Sequence, residues 1–162
     1  MKDCLVIIDV QKGFLTYETE PVVDKIENLI NSTEFNYVVA TRFVNTKESP
    51  HYTLLGWEGL MDAKSQEVVP LVEDVADIVF DKSINSCFTE EFKEFIAVEG
   101  IEKLYFVGLD TDCCVMKSAF DAFDMKIPFE VLTSYCASSG GEDLHIAACK
   151  LMLRNLGSDC VK

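Results

Sequence analysis

Leu104-Tyr105-Phe106-Val107-Gly108-Leu109-Asp110-Thr111-Asp112-Cys113-Cys114-Val115 places an apolar strand, a tight turn and a cysteine at the first turn of an amphipathic helix within one short run. A strand that turns directly into a helix is the unit of α/β folds. A helix N-terminus carries unpaired N–H groups and a partial positive charge, so the Cys114 thiolate is expected to be favoured and its pKa to fall below the usual ~8.5. The same N–H groups can bind a developing oxyanion. Taken alone, a cysteine is more often a small buried hydrophobe, and the weight of the reading rests on its position.

Outward from this stretch, apolar runs with strand character alternate with stretches of helical period. Strands are expected at Cys4 to Val10, Tyr37 to Thr41, Ile78 to Phe80, Leu104 to Leu109 and Phe129 to Leu132, with a short one near Asp159 to Val161. Helices are expected at Val22 to Ile30, Glu90 to Val98, Val115 to Met125 and Glu142 to Leu156. Thr89 reads as an N-cap, and Gly100 and Gly157 stand where C-terminal caps belong. In the helix after Cys114, an apolar stripe of Val115, Ala119, Phe120, Ala122 and Phe123 is expected to face the core. The alternation implies a parallel sheet whose strands are buried on both faces. Residues 45–66, with Pro50, Gly56 and Gly59, read as a long irregular excursion, and such loops often serve a site.

The 162 residues, 49% of them hydrophobic, fit one compact domain spanning 1–162. No apolar run reaches the ~20 residues needed to span a bilayer, and Met1-Lys2-Asp3-Cys4 lacks the architecture of a signal peptide, so a cytoplasmic protein is expected. Seven cysteines with no CxxC pair read as reduced thiols, without zinc-ribbon spacing. The net charge of -14 repels phosphate backbones and anionic lipid, which argues against nucleic acid and membrane as partners. Glu90, Glu91 and Glu94 read as a solvated helix face.

In a doubly wound sheet, ligands bind outside the carboxyl ends of the strands where strand order reverses. The first strand runs into Asp9-Val10-Gln11-Lys12-Gly13-Phe14, the third into Lys82-Ser83-Ile84-Asn85-Ser86-Cys87-Phe88, and the fourth into the Cys114 turn. A carboxylate, an ammonium and a thiol thus share one sheet edge. These three segments, in this order, resemble the motifs of the isochorismatase-like cysteine hydrolase superfamily, which includes nicotinamidases and N-carbamoylsarcosine amidases. The likeness spans nearly the whole chain, and its third motif, Gly-x-x-Thr-Asp-x-Cys-Val, selects Cys114 over Cys113 as nucleophile.

The resemblance implies a three-layer α/β/α, Rossmann-like parallel sheet of about six strands in the order 3-2-1-4-5-6, and a cis peptide joining Leu109 to Asp110. It implies a catalytic set of Asp9, Lys82 and Cys114, with backbone N–H groups of Asp110 and Cys114 as the oxyanion hole. Such a set suits a hydrolase that cleaves a C–N bond of a small amide or ureido compound through a thioester on Cys114. Phe14, Phe43, Tyr52 and Trp57 are expected to wall the pocket for this small-molecule substrate. Nicotinamidase-type relatives carry an Asp-x-His zinc motif after the second strand, where this chain has Thr41-Arg42-Phe43-Val44-Asn45, so no metal and no cofactor are expected. Asp110 stands where relatives carry a small apolar residue. His51 and His145 lack a local catalytic signature, and His145 reads as a packing or capping residue. Family habit implies a homo-oligomer. Two other readings of the same residues are a non-catalytic binding or oligomeric member and a thiol redox sensor at Cys113 and Cys114.

Overall fold

The computed structural model describes residues 1–162 and consists of five parallel strands with helices on both faces. In chain order the elements are β1 (Asp3–Ile8), α1 (Pro21–Ser32), β2 (Tyr37–Phe43), α2 (Pro50–Leu55), α3 (Ala63–Gln66), α4 (Pro70–Val75), β3 (Ile78–Lys82), α5 (Glu90–Glu99), β4 (Lys103–Gly108), α6 (Met116–Asp124), β5 (Phe129–Cys136) and α7 (Glu142–Leu156). The strand order is β3-β2-β1-β4-β5, the expected order less its last member. At the expected sixth strand, the turn after α7 absorbs Asp159, and only Val161 pairs with β5, through a single parallel bridge to Val131.

Alternation along β1 explains the layers. Cys4, Val6 and Ile8 face a core completed by Phe92 of α5, Ala119 of α6 and Met152 of α7. Leu5 and Ile7 face the opposite core, with Val22 and Ile26 of α1 and Val72 of α4. Every one of these β1 side chains has no exposed surface, so a one-residue slip would exchange the two sets without relieving either.

The caps follow the residue types. Thr89 accepts from the Phe92 N–H at 3.2 Å, and Gly100 closes α5 at a φ of 65°. In α6, Ala119 and Ala122 are buried, but Phe123 lies half exposed at 49%, one helical step of about 100° beyond Ala122 and off the expected stripe. The inner row is filled instead by Ser118, whose hydroxyl donates to the Cys114 carbonyl at 2.7 Å and accepts from the Cys87 N–H at 2.9 Å.

The excursion at 45–66 is more regular than expected. Ser49 caps α2 by accepting from the Tyr52 N–H, Pro50 fixes its first turn, and Asp62 caps α3. The structure also contains α4, which follows Val69 and begins at Pro70. No helix is long and apolar enough to cross a membrane.

Candidate active site

Strand register brings the three motifs together. Ile8 pairs with Thr41 on one side and with Gly108 on the other, so Asp9 leaves the sheet at the order reversal, between the ends of β2 and β4. At Gly108 a Cβ would lie 2.3 Å from the Ile8 carbonyl oxygen, and φ is 113°; only glycine lets β4 pass this close before turning. The peptide joining Leu109 to Asp110 is cis.

Asp9 itself has a φ of 50°, in the left-handed region that Asp tolerates better than most residues and that is frequent at functional sites. The Thr41 hydroxyl donates to Asp9 Oδ1 at 2.7 Å. Asp9 Oδ2 lies 2.7 Å from the Lys82 ammonium, and both side chains are fully buried.

Lys82 ends β3 opposite Phe43 of β2. Its ammonium donates to the carbonyls of Ile84 and Asn85 at 2.9 and 3.3 Å, and lies 3.4 Å from Cys114 Sγ. It also sits 5.2 Å from the centre of the Phe43 ring. Burial opposes its charge, but Asp9 and Cys114 outweigh burial and hold the ammonium protonated, with its pKa raised.

Cys114 occupies a wide turn, Thr111–Val115, that precedes α6; the Asp110 carbonyl accepts from both the Cys113 and Val115 N–H groups at 3.1 Å. The thiol is 5% exposed. Here the expectation of a lowered pKa is corrected: the adjoining Cys113 thiol, burial and the Asp9 carboxylate push the Cys114 thiol up, against the opposing pull of Lys82. The Cys114 sulfur and the Asp9 carboxylate thus share the Lys82 ammonium as a neighbour.

The Asp110 side chain turns to the loop after β5. Its carboxylate accepts from the Ser139 N–H at 2.8 Å and the Ser139 hydroxyl at 2.5 Å, tying the cysteine turn to the loop after β5. Burial raises its pKa. The Asp110 N–H, by contrast, has no acceptor within the protein. His145 bonds Thr111 Oγ1 through Nδ1 at 2.8 Å and lies 3.7 Å from Cys149 Sγ, a supporting position beneath the turn.

Three of the four expected pocket residues converge. Phe14 stacks on Trp57 at 6.4 Å, Phe43 lies 6.5 Å from Phe14 and 6.1 Å from Trp57, and these rings roof the charged groups. Tyr52 forms no ring pair with them. His51 takes that place instead, 5.0 Å edge-on to Phe43 and 5.7 Å from Trp57. The periodicity of 45–66 does not announce this, because α2 is only six residues long. Gln11 was quoted in the first motif without a role: its fully buried amide accepts from the Phe43 N–H at 2.7 Å and donates to the Phe43 and Gln66 carbonyls at 3.0 and 2.9 Å.

A metal does not fit the position after β2. Phe43 contributes a ring there, and the Asn45 side chain is used up by the Trp57 and Gly59 carbonyls and the Ser49 hydroxyl. Nowhere in the chain do three His, Cys, Asp or Glu side chains converge in a metal-binding arrangement.

The chain is thus a doubly wound α/β domain with an ion pair and a thiol at the reversal point of its parallel sheet. The family model for the isochorismatase domain matches residues 3–160, and the chain belongs to that family. No curated protein sequence matches significantly. Among solved structures, nicotinamidase PncA from Bacillus subtilis is similar at 20% identity and a TM-score of 0.80, with 100% of each chain covered. N-carbamoylsarcosine amidase from Thermoplasma acidophilum aligns at 22% identity and a TM-score of 0.79, over 100% of this chain and 96% of that one. An isochorismatase-like hydrolase from Alkaliphilus metalliredigens aligns at 18% identity and a TM-score of 0.80, over 94% and 91%. At these identities the likeness is one of fold.

Proposed function

We propose that the chain is a metal-independent cysteine amidohydrolase that cleaves a C–N bond of a small amide or ureido compound through a thioester on Cys114. The observation that carries this reading is the buried chain from Asp9 Oδ2 to Lys82 Nζ to Cys114 Sγ, at 2.7 and 3.4 Å. The amidase names of two structural relatives support hydrolysis at nitrogen.

In this mechanism Asp9 takes the thiol proton as Cys114 Sγ forms a bond to the substrate carbonyl carbon. The oxygen that gains charge is received by the Asp110 N–H and, as the family resemblance implies, by that of Cys114. Asp9 then passes its proton to the departing nitrogen, the C–N bond breaks, and an amine or ammonia leaves an acyl thioester. Water, deprotonated by Asp9, attacks the thioester carbon; the proton returns to the thiolate as the acid is released. Lys82 is never a proton carrier in this scheme. Its charge offsets the negative charge that the sulfur acquires.

The deciding experiment is a panel of small amides with intact-mass detection of an acyl adduct, mapped by peptide sequencing. An adduct on Cys114 that is absent from Cys114→Ala is the expected result. Turnover of the same amides by Cys114→Ala at the native rate would remove the mechanism.

A further inference from the structure

Asp110 and Thr111 open the cysteine turn, and the polar groups they carry are engaged with a single exception. The Asp110 carbonyl accepts from the Cys113 and Val115 N–H groups, both at 3.1 Å, and the Thr111 carbonyl accepts from the Met116 N–H. The Thr111 N–H donates to the Ala137 carbonyl at 2.9 Å, and the Thr111 hydroxyl bonds His145 Nδ1 at 2.8 Å. Ser139 holds both oxygens of the Asp110 carboxylate, one through its N–H at 2.8 Å and the other through its hydroxyl at 2.5 Å. The exception is the Asp110 N–H. In a stretch otherwise saturated, that one donor is left to meet a charge that forms only during reaction.

The loop that presents Ser139 is itself fixed. The Ala137 N–H donates to the Gly108 carbonyl at 3.3 Å, at the end of β4. Ser138 is buried, and its hydroxyl and carbonyl accept from the Gly140 and Gly141 N–H groups at 3.0 and 3.1 Å. Side chain, carbonyl and N–H radiate from one Cα, so a carboxylate gripped at both oxygens fixes the rotation of Asp110 and with it the direction of its N–H.

A free carboxylate beside a nascent oxyanion would work against it. The two charge-assisted bonds from Ser139 hold the Asp110 charge on the loop after β5 instead.

We propose that the Asp110 carboxylate and Ser139 are positioning residues, which together aim the Asp110 N–H at the oxygen that gains charge when Cys114 attacks a carbonyl. The inference rests on the reaction proposed at Cys114 and gives the loop after β5 a part in it, exerted through Asp110 rather than by contact with substrate. Acyl transfer to the sulfur depends on this brace; thiol chemistry that builds no oxyanion does not.

Two reagents applied to the intact chain separate these cases. With p-nitrophenyl acetate, Cys114 Sγ bonds to the ester carbonyl carbon, charge builds on the carbonyl oxygen, and p-nitrophenolate leaves. With methyl methanethiosulfonate, Cys114 Sγ bonds to the methylthio sulfur and methanesulfinate leaves, with no carbonyl involved. Asp9 takes the thiol proton in both. Acylation is read as the p-nitrophenolate release that Cys114→Ala abolishes, and methylthio transfer as the mass gained on the Cys114 peptide. A changed thiolate population moves both rates, whereas a misdirected N–H moves only the first.

Asp110→Ala should lower the ratio of acylation to methylthio transfer by about tenfold or more, and Ser139→Ala, a second variant that leaves Asp110 in place, by about fivefold. Asp110→Asn, whose amide oxygen still accepts from Ser139, should return the ratio to within about twofold of the wild type. Parallel loss of both rates in Asp110→Ala and Ser139→Ala, an unchanged ratio in both, or no recovery in Asp110→Asn would overturn the inference and leave the reaction standing. Wild-type p-nitrophenolate release that Cys114→Ala does not diminish would remove the reaction and the inference with it.

Discussion

The floor of the cleft and its roof are held in place differently. On the floor, Asp9, Lys82 and Cys114 come from three strand ends, and each is fixed by the register of β1, β3 or β4 together with partners from another element. The roof, residues 44–66, takes its shape from local bonds: Asn45 to the Trp57 and Gly59 carbonyls, Ser49 to the first turn of α2, and ring contacts among Phe14, Phe43, His51 and Trp57. Reactive charge is thus tied to the global fold, and shape selection to a segment that can change without moving the sheet.

The sharpest break between the two regions is kinetic. Cys114→Ala should lower turnover by at least ~10⁴-fold, and Asp9→Asn by ~10² to 10⁴, both in kcat, measured with any amide the enzyme accepts. Roof substitutions should instead act on KM. A KM effect for Asp9→Asn with native kcat would place Asp9 outside the chemistry.

Stability separates the regions next. Asp9→Ala leaves the Lys82 ammonium buried without its counter-charge and should cost about 3–5 kcal/mol in urea unfolding. Replacing both, as Asp9→Ala with Lys82→Met, should cost less than Asp9→Ala alone. A double variant weaker than the single would show that the pair is held by something other than mutual charge.

An alkaline titration should weaken the core beneath the floor. Cys4, Cys87 and Cys136 have thiol pKa values pushed up to about 12 by burial. The folded state therefore keeps these protons after the unfolded chain, with a thiol pKa near 9, has released them; stability is complete below about pH 8 and declines as pH rises towards 12. At pH 9.5 the three together should lose roughly 2–3 kcal/mol relative to pH 8, under reducing conditions. An unchanged urea midpoint over that interval would mean these thiols are less enclosed than described.

The smallest effect belongs to the roof. Ser49→Ala removes the α2 cap and should cost about 1 kcal/mol, with a rise in KM and little change in kcat. A fall in kcat alone would mean that the roof reaches into the chemistry.

Legibility in the sequence follows the same division. The five strands and the helices α1, α5, α6 and α7 are legible because buried parallel strands are continuous apolar runs between stretches of helical period, while the three-layer order and the set of Asp9, Lys82 and Cys114 follow from the family resemblance of the motifs at the strand ends. The direction of the Cys114 pKa is not legible, since it depends on burial and on Cys113 and Asp9 in space, and the helix-terminus rule considers neither. His51 was passed over and Tyr52 preferred because neighbouring residues on a short helix point about 100° apart, and only the ends of α2 decide which one turns inward. That Asp110 stands where relatives carry a small apolar residue is legible, but its Ser139 partners are not, because they lie across the fold on the loop after β5.

Gln11 carries a consequence for variation. Its one amide grips the backbone where the roof departs, at Phe43, and where it returns, at Gln66. The intervening residues form an arch with both feet pinned to a single post. Lengthening, shortening or rewriting that arch would alter which molecules gain entry, while the hydrolytic groups below would keep their spacing.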